Sequence, residues 1–100
     1  MEKEEMMTLV LKRYPGVYDN KLEQIASELD SMDPELKLLF ENFLTTGQVD
    51  NIEIQGYTVA KLKTEHGMNE VAAFLTLDWL KQEPEVASKS LERGHDFVGP

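Results

Sequence analysis

The sequence predicts an all-α fold: a compact bundle of five to six short helices around a central apolar helix at about 69–82. Three observations carry this. Helix-spaced apolar positions recur through most of the chain. Asp33-Pro34, Thr58 and Asn69 each stand where a helix would start, and Gly47 and Gly67 stand where one would stop. Only residues 48–56 break the pattern, and they read as an irregular or short extended segment.

The first helix is expected over Glu2 to Tyr14. Met7, Val10, Leu11 and Tyr14 follow the i, i+3, i+4, i+7 spacing, and Met6 and Leu9 widen that face. A strand over Thr8 to Leu11 is disfavoured by its charged flanks and its lack of alternation. Pro15-Gly16 stops the helix, because proline cannot continue the hydrogen-bond ladder. Val17-Tyr18 reads as a short extended link. Asp19 or Asn20 then caps a second helix ending near Ser31, with a stripe of Leu22, Ile25, Ala26 and Leu29, followed by Met32.

Asp33-Pro34-Glu35 is the clearest start signal: a capping carboxylate, a proline whose missing N–H costs nothing, and an acid in the positive first turn. Leu36, Leu39, Phe40, Phe43 and Leu44 form one apolar face of this third helix, while Leu38 lies off it, where another element would meet it. The helix ends at Thr45-Thr46-Gly47. Within 48–56, Ile52 and Ile54 alternate with Glu53 and Gln55. A strand here needs a partner for its backbone groups: another copy, residues 17–18 or the C-terminal tail. The simpler reading is an ordered loop with Ile52 and Ile54 tucked under the third and fifth helices.

Thr58 caps a short fourth helix through His66, with Tyr57 and Leu62 at the spacing of a hydrophobic staple. Val59 and Leu62 face inward, and Lys61 and Lys63 outward. Gly67 ends it, and Asn69 opens the organising segment NEVAAFLTLDWL. Its apolar residues fall into two sectors, Val71, Ala72, Leu75 and Trp79 against Ala73, Phe74, Leu77 and Leu80. Thr76 divides them on one side, and Asp78, Lys81 and Gln82 on the other. Two sectors predict a helix packed on both sides. Asp78 is expected to face a solvent strip, or to pair with Lys81 or a lysine of another helix, since an unpaired buried carboxylate is costly. Glu83-Pro84-Glu85 opens a last helix through Arg93-Gly94 on the thin stripe Val86, Ala87 and Leu91. Residues 1–94 thus read as a single helical domain and 95–100 as a C-terminal tail.

Composition narrows the function. With 41% apolar residues, 100 residues suffice for one small core. The net charge of −9, with eleven Asp/Glu against five Lys/Arg in residues 1–50, opposes binding to phosphate backbones and anionic lipid. No apolar run approaches the ~18 residues of a membrane span. The start MEKEEMM is acidic, unlike a secretory signal, so the expected location is cytoplasmic. The absence of cysteine excludes disulfides, thiolate nucleophiles and cysteine-ligated zinc.

No phosphate-binding glycine loop, HExxH or EF-hand spacing occurs, so no metal, cofactor or catalytic residue is assigned. The fourth and fifth helices are spaced like a helix-turn-helix. However, the second of them is the most apolar segment of the chain, whereas a reading helix needs polar or basic side chains. Direct nucleic-acid binding is therefore disfavoured.

The reading that remains is a small, acidic, non-enzymatic protein-interaction or regulatory module, acting as a homo-oligomer or on an unidentified protein. The alternatives are a nucleic-acid-associated helical domain or acidic nucleic-acid mimic, and a small enzyme with an unrecognised site. The candidate interface residues are Ile52, Ile54, Phe74, Trp79 and Phe97, and the candidate functional polar residues are His66 and Asp78.

Overall fold

The computed structural model describes residues 1–94, and they form six short α-helices with no strand among them. The helices are α1 (Lys3–Arg13), α2 (Leu22–Ser31), α3 (Pro34–Thr46), α4 (Val59–His66), α5 (Glu70–Gln82) and α6 (Pro84–Glu92). The chain divides into two compact units, Met1–Val49 and Asp50–Pro100. The expected all-α class holds.

In the first unit, α1 packs against both α2 and α3. Its buried residues are Met6 and Val10. Met7, Leu9, Leu11 and Tyr14 are only half-buried, so the centre of the inward stripe lies at Met6, which the spacing had placed on the flank. Val17-Tyr18 is a turn rather than an extended link. The Val17 N–H donates to the Tyr14 carbonyl at 3.3 Å, Val17 is exposed, and Tyr18 is buried edge-on to Tyr14 with ring centroids 6.3 Å apart.

Neither Asp19 nor Asn20 caps α2. A 3-10 turn over Asp19–Lys21 intervenes, and the Ncap is Lys21, whose side chain does not cap the helix. Leu22, the first residue of α2, is exposed while Ile25 and Leu29 are buried.

The start of α3 follows from its sequence. The Asp33 carboxylate accepts from the Glu35 and Leu36 N–H groups at 3.1 and 3.2 Å, and Pro34 occupies the first turn. Leu36, Phe40, Phe43 and Leu44 are buried, Leu39 is half-buried, and Leu38 meets no other element, being 67% exposed. Gly47 closes the helix at φ +79, a left-handed conformation that a Cβ would strain.

The loop before α4 carries one isolated antiparallel bridge, Ile54 to Tyr57, with both N–H···O bonds at 2.9 Å. The partner of Ile54 is thus three residues away in its own chain, and 48–56 is a loop with no strand.

In the second unit, α5 packs against both α4 and α6. Thr58 Oγ1 accepts from the Lys61 N–H at 3.1 Å, and Asn69 Oδ1 from the Ala72 N–H at 2.8 Å. Gly67, at φ +67, lets the Met68 N–H reach back six residues to the Leu62 carbonyl at 3.2 Å. Every residue from Val71 to Asp78 is buried, as is Leu80, so α5 has no open strip on that stretch. Both dividers of its apolar sectors, Thr76 and Asp78, are at 0% exposure, against the expectation of a solvent strip at Asp78. The stripe of α6 is thinner than its sequence suggests. Ala87 and Leu91, four residues apart on one side of the helix, are buried, but Val86, one 100° step from Ala87, is 55% exposed.

Candidate functional site

The residues singled out by sequence are scattered among different environments. Phe74 is fully buried and presents no surface. Trp79 is half-buried, and its indole Nε1 donates to Glu83 Oε2 at 2.9 Å. Ile52 and Ile54 are half-buried in the loop before α4. Phe97 lies outside the described residues.

Asp78 has a partner on its own helix. Both carboxylate oxygens accept from Gln82 Nε2, at 3.0 and 2.8 Å, one helical turn on. This answers part of the burial cost that an isolated carboxylate would pay. His66 sits at the end of α4, half-buried, its ring edge-on to Tyr57 at 5.8 Å. Lys61 was expected to face outward, yet it is half-buried with its ammonium 5.0 Å from the centroid of the same ring. Lys63 pairs with Glu70 at 2.9 Å.

A surface that the sequence did not single out lies on α1. The helix has acids in its first turn, Glu4 and Glu5, and bases in its last, Lys12 and Arg13. With Met6 and Val10 turned inward, the 100° step puts Glu5, Thr8 and Lys12 on the opposite side, with Leu9 beside them. Glu5, Thr8 and Lys12 are exposed and Leu9 is half-buried.

Two open depressions meet at this stripe. One is lined by Glu4, Glu5, Thr8 and Leu9, and the other by Leu9, Lys12, Arg13, Leu44 and Thr45. Leu9 is common to both. Arg13 forms the fixed edge of the second. Its Nη2 donates to the Phe43 and Leu44 carbonyls at 3.4 and 3.3 Å, and its guanidinium carbon lies 4.6 Å from the Phe43 ring centroid. A cation from α1 thus adds a charged donor at the carbonyl end of α3, where the Phe43 carbonyl also accepts from the Gly47 N–H at 2.7 Å. Only the last-turn position of Arg13 hinted at this, since its targets are 30 and 31 residues away.

Lys3, on the other side of α1, donates to Asp30 at 3.0 Å. That hydrogen bond, with the Asp30 charge behind it, raises the Lys3 ammonium above its usual range.

The second unit has a more polar depression lined by Gln55, Pro84, Glu85, Ser88, Lys89 and Glu92. Among the described residues no group of three or more His, Asp or Glu side chains is placed to hold a metal ion. No described helix is long and apolar enough to cross a membrane.

No protein-family model matches the chain, and neither does any curated protein or solved structure.

Proposed function

We propose that residues 1–94 form one helical domain working as a non-enzymatic protein-interaction or regulatory module, with the outer stripe of α1 as its contact surface. One observation carries this reading. Leu9 joins two open depressions and is bracketed by acids at one end and bases at the other. An apolar centre with a charged rim is the layout of a protein contact, in which burial supplies affinity and charge supplies register. The nucleic-acid alternative is weakened by its own residues: Lys61 lies against Tyr57 and Lys63 pairs with Glu70, so neither cation is held ready for phosphate. A cytoplasmic location goes with the reading and is compatible with a cysteine-free chain of net charge −9.

The test is photo-crosslinking in cells, with a benzophenone amino acid placed at Leu9, at exposed Leu38 on α3, or at Trp79. A discrete adduct from position 9 and none from 38 supports the reading. Adducts from position 79 alone would move the contact surface to α5, and none from any position would overturn the reading.

A further inference from the structure

The charge order along α1 is complementary to itself when reversed. Taking the helix antiparallel to a second copy, with position numbers summing to 17, places Glu5 opposite the partner's Lys12 and Thr8 opposite the partner's Leu9. The dyad then falls between Thr8 and Leu9, beside the side chain that both depressions share. Glu5 and Lys12 are seven residues apart, about 10.5 Å along the axis, too far to satisfy each other within one chain. Neither forms an ion pair among the described residues.

We propose that α1 is a two-fold self-pairing surface and that its occupant is a second copy of this chain. The contact is isologous: Glu5 meets the partner's Lys12 twice, once on each side of the dyad, and the two Leu9 side chains cover each other near its centre. This rests on the interaction-module reading above for the choice of face, and adds the identity of the partner.

Two forces oppose the pairing and set how weak it is. A helix of 11 residues is about 16 Å long, so the contact belongs with small, transient interfaces, well under the ~1,200 Å² of stable complexes. The charge of −9 on each chain also repels the other copy. At about 0.15 M salt the screening length is about 8 Å, which damps that long-range repulsion more than it damps two charges in contact.

Acids at the start of a helix and bases at its end also suit the helix dipole. A mixing experiment separates the two roles. Glu5→Lys places cations against cations in a homodimer, and Lys12→Glu places acids against acids. A dimer of one Glu5→Lys chain with one Lys12→Glu chain has opposite charges at both contacts. Mixing changes nothing inside either chain, so the dipole account predicts no effect of it.

The measurement is sedimentation equilibrium at up to about 1 mM protein in about 0.15 M salt. The wild-type chain should average above monomer mass. Each variant alone should associate roughly tenfold more weakly, and the equimolar mixture should return to wild-type association. A mixture no heavier than either variant alone, or a wild-type chain that stays monomeric throughout, overturns the proposal. A monomeric wild type that still crosslinks another protein through position 9 removes only the self-pairing and leaves the module reading standing.

Discussion

The two units are each organised around one helix, and the two helices solve the same packing problem in opposite ways. α1 touches α2 and α3, buries Met6 and Val10, and leaves its far side open. α5 touches α4 and α6 and is buried throughout Val71 to Asp78, polar residues included. The difference lies in composition. α1 carries five charged residues among its 11, grouped at its two ends, whereas α5 carries three among its 13 and none over residues 71–77. A helix without a polar face has to be enclosed, and an enclosed helix has nothing left to offer a partner. The open side of α1 is what the proposed contact would use, whereas α5 is committed to the core of its unit.

The largest effect that tests this contrast comes from one identical deletion in each unit. Leu77 and Leu36 are both at 0% exposure. Leu77 lies inside α5 with buried neighbours on each side, so its cavity cannot collapse. Leu36 is the third residue of α3, where the helix end has room to relax. Leu77→Ala should cost about 4 kcal/mol and Leu36→Ala about 3 kcal/mol, read from urea unfolding. Equal costs, or the reverse order, would break the contrast. Trp79, the one tryptophan, reports on the second unit, whereas far-UV circular dichroism reports on all six helices. If residues 1–94 are one domain, the two signals coincide in every one of these transitions.

A smaller effect separates the ways the two units close a helix end. α4 is closed locally, by Gly67 and the bond from Met68 to Leu62. α3 has Gly47 and, in addition, a guanidinium donated from α1. Arg13→Ala should cost about 1–2 kcal/mol, from the lost charged hydrogen bonds and ring contact, discounted for exposure. Arg13→Lys should recover less than half, since an ammonium cannot stack flat on Phe43 while also donating to two carbonyls. Full recovery would show that only a positive charge near the end of α3 matters.

These cases also show how much could be read in advance. The caps at Asp33, Thr58 and Asn69 were legible because donor and acceptor lie within three residues of each other. The enclosure of α5 was legible from its two apolar sectors. What was not legible depends on neighbours distant in sequence. Asp78 and Thr76 are buried because of what surrounds α5, not because of their own type. Arg13 takes its role from residues brought to it by folding, and Leu38 and Val86 are exposed because nothing reaches them. The letters of the α1 stripe were in view, but its openness was not, since spacing cannot say which of Met6, Met7 and Leu9 turns inward.

The smallest predicted effect concerns a strain that local signals did not announce in the second unit. Gln55 has φ +53 and Gly56 φ +82, so both central residues of the turn joining Ile54 to Tyr57 are left-handed, as in the tight turns of hairpins. Glycine enters that region freely, whereas glutamine pays about 1 kcal/mol and lacks the short side chain that lets asparagine settle there. Gln55→Asn should therefore raise stability by about 0.5 kcal/mol. Gln55→Gly should be near neutral, because the relief of strain is offset by the greater freedom of glycine in the unfolded chain. Gln55→Val should lower stability by at least about 1 kcal/mol, since a β-branched residue fits this region worst. The order Asn, Gly, Val in chemical denaturation makes the backbone angle the governing term. If Asn lowers stability instead, the glutamine side chain itself is worth more than the strain it imposes. Its value would then lie in the depression it lines with Pro84, Glu85, Ser88, Lys89 and Glu92, and the second unit would have a working surface of its own.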